Sequence, residues 1–122
     1  MNIKTVEKNQ IAVAVVESDE VLIRDAQSAL DLLMTAKYEA RSSSIAISKD
    51  CITEDFFILS TRLAGEVLQK FINYQAKIAI YGDFSRYTSK PLKDFMYESN
   101  QGKDIFFVST QEEAIEKLST AS

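Results

Sequence analysis

The sequence predicts one α/β domain over residues 1–122, in the order β-β-α-β-α-β-α-β-α, around a mostly parallel five-stranded sheet with an antiparallel N-terminal edge strand. Three observations predict it. Short apolar runs alternate with segments of helical periodicity. The runs are apolar on both faces, as in strands covered from both sides. The chain has 122 residues, 46% hydrophobic and 26% charged, which suits one domain that builds a core without disulfides or metals.

Residues 2–8 and 11–17 read as two strands joined at Asn9-Gln10, a hairpin turn. Residues 12–16 are all apolar, as a doubly covered strand requires. Residues 23–38 form the first helix: Ala26, Ala29, Leu30, Leu33, Met34 and Ala36 make its stripe, and Asp25 suits its cap. Residues 44–47 are a third strand, and 50–57 are irregular or a single turn. Residues 59–74 form the second helix, with Leu63, Val67, Leu68, Phe71 and Ile72 on one side. Gly65 inside it costs about 1 kcal/mol relative to alanine, which points to close approach of another backbone. Asn73 suits a left-handed cap.

Residues 77–81 are the fourth strand, stopped by Gly82-Asp83. Ser89 and Pro91 open the third helix, whose Leu92, Phe95 and Met96 face inward, and Gly102 ends it in left-handed fashion. Residues 104–108 are the fifth strand. Thr110-Gln111-Glu112-Glu113 matches a capping box, followed by Ala114, Ile115 and Leu118. Residues 119–122 are expected to fray.

Along the strands, Ile45, Ile47, Ile78, Ile80, Ile105 and Phe107 point one way, and Ala46, Ala79 and Phe106 the other. Two arrangements are open. Either helices cover both faces, or they gather on one and the other becomes an interface, for instance with a second copy.

Composition excludes much chemistry. The chain has no histidine, which removes the usual general base, the Ser-His and Cys-His pairs and most zinc sites. No metal is expected, and no cofactor either. The three glycines never approach a phosphate-cradling spacing. A net charge of −4 disfavours nucleic acid and anionic membranes as partners. The single cysteine, Cys51, excludes an internal disulfide, suits a reducing cytoplasm and reads as an inert, part-buried thiol. Residues 1–4 lack a signal peptide's apolar stretch, and the run 11–16 is too short to span a bilayer.

The element order resembles the STAS fold of anti-sigma-factor antagonists and the related cytoplasmic SpoIIAA-like domains. Several segments also resemble an uncharacterised bacterial family of unknown function. They are Asp55-Phe56-Phe57 with the run 63–71, then Ile78-Ala79-Ile80-Tyr81-Gly82-Asp83-Phe84, the run 89–100 and Ile105-Phe106-Phe107. The STAS resemblance implies a phosphorylated serine in an Asp-Ser-Ser-Gly motif after the third strand. Here Asp55-Phe56-Phe57-Ile58 stands there; the aspartate matches and the serines do not. Ser60 and Thr61, a few residues on, are the substitutes this implies.

The loops after strands three and four lie at the carboxyl ends of parallel strands, where open α/β sheets bind ligands. Asp55, Arg62, Asp83, Ser85 and Arg86 are the candidate residues for a small polar or anionic ligand there. The structural alternative has Asp83 capping a turn and Arg62 paired with Asp55 or Asp83. Phe56, Phe57, Phe84 and Tyr87 are loop aromatics that serve as a docking patch or as core. Glu66, Asn73, Asp94, Glu98 and Asn100 read as a solvated helical face. The function expected is a non-catalytic binding or regulatory module, acting on a protein partner or on itself. A binder of an anionic metabolite is the alternative, and a carboxylate-based enzyme the third.

Overall fold

Asn9 and Gln10 both adopt left-handed backbone, with φ of 54° and 67°. That two-residue turn matches the twist of paired strands. It joins β1 (Asn2–Lys8) to β2 (Ile11–Glu17) in antiparallel register, with Lys8 opposite Ile11. From β2 onward every pairing is parallel: β3 (Ser44–Ser48), β4 (Lys77–Tyr81) and β5 (Ile105–Val108) follow in the spatial order β1-β2-β3-β4-β5. The computed structural model describes residues 1–121 and shows the predicted α/β order.

Each crossover steps one strand further in the same direction. Crossovers of one hand then place their helices on one face. So α1 (Ala26–Glu39), α2 (Leu63–Asn73) and α3 (Lys90–Gln101) share a core with Ile45, Ile47, Ile78, Ile80 and Phe107. Among the described residues no strand follows the last helix, α4 (Gln111–Thr120). It turns back over the other face and packs Ala114 and Leu118 against Val13, Val15, Ala46, Ala79 and Phe106. Ala46 and Ala79 keep the middle of that face low, so one helix covers it. Helices therefore lie on both faces, and no central strand is left bare.

Local boundaries moved where tertiary pairing outweighed periodicity. Ile23 does not start α1. It bridges to Ile52, with the Ile23 N–H donating to the Cys51 carbonyl at 3.0 Å and the Thr53 N–H donating to Ile23 at 2.9 Å. Asp25 caps α1 as predicted, and Ser28 answers it in a reciprocal capping box. Residues 59–61 form a 3₁₀ turn, and Arg62 at φ 66° separates it from α2. The left-handed residue after α2 is Gln75, not Asn73. Gly102 caps α3 with φ −87°, so it needs no glycine geometry there. Thr110 accepts from the Glu113 N–H at 3.1 Å, which is half of the expected box. Ser119 is buried in α4 rather than frayed; Ser122 lies outside the described residues. Gly65 has open space around its missing side chain, so no backbone approaches it.

The two sheet edges differ. On β5, the Asn100 amide of α3 donates from Nδ2 to the Phe107 carbonyl at 3.0 Å and accepts the Phe107 N–H on Oδ1 at 2.7 Å. Asn100 thus acts as a one-residue strand on that edge, not as part of a solvated face. The β1 edge carries Lys4, Glu7 and Lys8 and has no such cover. Between α1 and β3, buried Ser42 donates to the Ala12 carbonyl at 2.7 Å and accepts the Ser44 N–H at 3.0 Å, tying that loop to β2.

Candidate functional site

Ser48 and Tyr81, the last residues of β3 and β4, are register partners. The segments after them, 49–62 and 82–89, therefore meet at the carboxyl edge of the sheet, where such folds bind ligands. Gly82 sits at φ 153°, a backbone conformation that L side chains rarely adopt. The Lys49 stem fills the space where a Cβ would stand, with Cγ 2.7 Å from that position. Held this way, Lys49 brings its amine 3.6 Å from Asp50 and 5.8 Å from the centre of the Tyr87 ring.

Arg86 pairs with the Glu54 carboxylate and donates to the Tyr87 hydroxyl at 3.1 Å. That hydroxyl donates to Glu54 at 3.0 Å. The hydroxyl, with Glu54 behind it, raises the Arg86 pKa above its ordinary value. The Arg86 guanidinium also lies 5.0 Å over the Tyr87 ring. Beneath, Tyr87 stacks on Phe57 at 4.9 Å, and Phe84 reaches Phe107 at 5.9 Å. Exposed ion pairs of this kind contribute little stability, so the stacked rings hold the rim together more than the charges do.

Of the predicted ligand residues, the structure brings Asp83, Ser85 and Arg86 to one loop. Asp83 accepts the Ser85 N–H at 2.9 Å. Hydrogen bonds from the Ser85 side chain and backbone, helped by Lys49, lower its pKa. Asp55 and Arg62 do not join them. Among the described residues Arg62 forms no ion pair with Asp55 or Asp83; it stands in left-handed backbone at the head of α2. Glu54 and Lys49, which sequence reading missed, hold the places it assigned to Asp55 and Arg62. Adjacent Glu54 and Asp55 look alike in sequence, and only the 3₁₀ turn over Glu54–Phe57 decides which one faces Arg86.

Phe56 and Phe57 are buried in the main core and offer no docking surface, while Phe84 and Tyr87 are half-buried against them. Thr61 is committed: its hydroxyl donates to the Asp55 carbonyl at 2.7 Å and accepts the Leu63 N–H at 3.2 Å. Ser60 is exposed. Cys51 is buried, its Sγ 3.4 Å from the Ser18 carbonyl, and burial pushes its pKa up. Its thiolate is therefore disfavoured as a nucleophile. Among the described residues no cluster of three or more metal-ligating side chains occurs.

Two concavities lie away from this rim. One of about 180 Å³ is lined by Met1, Leu22, Arg24 and Thr35. A broader groove of about 510 Å³ runs beside Ala26, Gly65, Gln69 and Asn73, where α1 meets α2. Among the described residues no helix is long and apolar enough to cross a membrane.

No curated protein matches the chain, and no solved structure does. A family model does match, over residues 8–118, from the end of β1 into α4, and so takes in strands β2 to β5, the rim and Asn100. The chain thus belongs to the family described as a domain of unknown function, DUF4180.

Proposed function

We propose that this chain is a non-catalytic binding or regulatory module of the bacterial cytoplasm, with a STAS-like fold, acting through protein–protein contacts. The observation that carries the reading is the outer surface of α1 and α2. Met34 and Tyr38 on α1, Ile72 on α2 and Tyr74 just after it are large apolar side chains left exposed, Tyr38 to 87%. The Lys37 amine lies 5.5 Å from the centre of the Tyr74 ring and ties the two helix ends together. Tyrosine and methionine are enriched at interface cores. The lack of histidine and the paired state of the rim charges support a module without turnover. The element order supports the STAS-like reading. Exposed Ser60, just ahead of α2, is the hydroxyl that would serve a phosphorylation switch, since Thr61 holds the turn.

Affinity capture tests this with the wild-type chain and a Tyr38→Glu/Tyr74→Glu variant of unchanged circular dichroism. A defined partner should bind the variant at least about tenfold more weakly, since a buried interface tyrosine typically contributes 2 kcal/mol or more. Equal capture by both chains overturns the reading.

A second reading is a site for a small anionic metabolite at the rim. Lys49 and Arg86 flank the Tyr87 ring there. A thermal-shift screen of carboxylate and phosphate compounds tests it. The shift should vanish in Arg86→Ala, and its persistence refutes the site.

A further inference from the structure

We propose that the outer edge of β1 is a self-association surface, occupied by β1 of a second copy of this chain in antiparallel register centred on Thr5. The proposal rests on the reading of the chain as a module working through protein contacts, and it names one such partner.

The hairpin determines which groups are free. A two-residue turn closes on a hydrogen-bonded pair, here Lys8 with Ile11. Bonded and non-bonded pairs alternate along an antiparallel ladder. Asn2, Lys4, Val6 and Lys8 therefore bond inward to β2, and the N–H and C=O groups of Ile3, Thr5 and Glu7 point outward. Among the described residues no other backbone group and no side chain bonds them. On the opposite edge, at β5, Asn100 occupies the outward groups of Phe107.

Symmetry selects the register. Two identical strands related by a two-fold axis place one residue opposite itself. Centring on Glu7 sets two carboxylates face to face, which is unfavourable. Centring on Ile3 puts Thr5 opposite Met1, outside the strand, while centring on Lys4 sets Lys4 against Lys4 and centring on Val6 sets Lys4 against Lys8. Centring on Thr5 pairs Ile3 with Glu7 of the second copy, Thr5 with Thr5, and Glu7 with Ile3. Those three pairs each exchange two main-chain hydrogen bonds, and no like charges lie directly opposite. Half-buried Ile3 and Val6 gain cover, Val6 from the aliphatic stem of Lys4 of the second copy.

Charge sets the strength. On the α4 side, Lys4 lies diagonal to Lys4 and Lys8 of the second copy, at about 7–8 Å. Glu116 of α4 already holds Lys8 and offsets part of this repulsion. Added salt screens the remainder, so association tightens with ionic strength. The same lysines discourage less specific edge pairing. A two-fold contact uses both β1 edges, so this pairing closes at two copies.

Sedimentation of the whole chain across concentration and salt tests the proposal. The wild type should show a monomer–dimer equilibrium that shifts toward dimer as salt rises. Thr5→Pro removes an N–H that makes no bond within the fold, a substitution edge strands tolerate, and should be monomeric. Thr5→Glu keeps the N–H, places two carboxylates opposite each other with Glu7 of each copy diagonal to them, and should also be monomeric. It decides the matter should the proline variant fail to fold. Tyr38→Glu should dimerise like wild type. A wild type that stays monomeric, a Thr5→Glu variant that still dimerises, or dimers that dissociate as salt rises overturn the proposal. Dimers lost in Tyr38→Glu but kept in Thr5→Glu place self-association on α1–α2, refuting the edge while leaving the module reading in force.

Discussion

Truncating Asn100 to alanine removes both bonds its amide makes to Phe107, at 3.0 Å and 2.7 Å, and nothing else nearby replaces them. A net hydrogen bond contributes about 1 kcal/mol, so the loss should be about 2 kcal/mol. For a domain of this size that lowers Tm by about 7 °C and the urea midpoint by about 1 M. Chemical denaturation followed by circular dichroism measures the total. Native-state hydrogen exchange localises it. Phe107 should lose protection by roughly thirtyfold, the equivalent of 2 kcal/mol, provided β5 opens locally. The uncovered edge should also make the variant more prone to associate, in a manner that Thr5→Glu does not suppress. A loss below about 0.5 kcal/mol, with Phe107 exchanging at the wild-type rate, would show that water replaces the amide fully and that Asn100 does not guard the edge.

Four further outcomes follow from the same geometry. Gly65→Ala should stabilise the chain by about 0.5–1 kcal/mol in urea titrations, because the helix gains propensity and the new methyl meets open space. Gly82→Ala should cost about 1–3 kcal/mol, because φ 153° disfavours a side chain and the Lys49 stem occupies its place; thermal unfolding measures it. Asp25 has its carboxylate pKa lowered by hydrogen bonds from the Ser28 backbone and then its side chain. Its stabilisation is therefore complete above the unfolded-state pKa and is lost as pH falls through the lower folded value. Asp25→Asn keeps a cap but should flatten that acid limb in a stability-versus-pH series. Cys51 should react with iodoacetamide in native protein far more slowly than in urea-unfolded protein, since burial disfavours its thiolate; equal rates would refute that.

Residues 77–81 and 44–48 show why the sheet is legible in the sequence. An isoleucine–alanine–isoleucine triplet flanked by polar residues specifies a strand, its two faces and their unequal depth, because side chains alternate with a period of two. The α2 stripe of Leu63, Val67, Leu68 and Phe71 was equally plain. The rim was less legible. Asp83, Ser85 and Arg86 were found because a strand end and a glycine mark that loop. Glu54 and Lys49 were not, because their role depends on segments some 30 residues apart in sequence meeting side by side. The aromatics Phe56 and Phe57 stood in an irregular segment, and periodicity cannot say whether a 3₁₀ turn points inward.

Asn100 marks the boundary between the two kinds of information. Composition and local pattern by themselves determined the α/β class, the element order, the hairpin at Asn9-Gln10 and the absence of histidine-based chemistry, since each depends only on residue type or near-neighbour spacing. The placement of α4 over the alanine face, the pairing of Arg86 with Glu54, and the closing of one sheet edge while the other stays open were decided by tertiary structure alone. These features join groups distant in the chain, and a backbone hydrogen bond at an edge leaves no imprint on the residue whose backbone makes it.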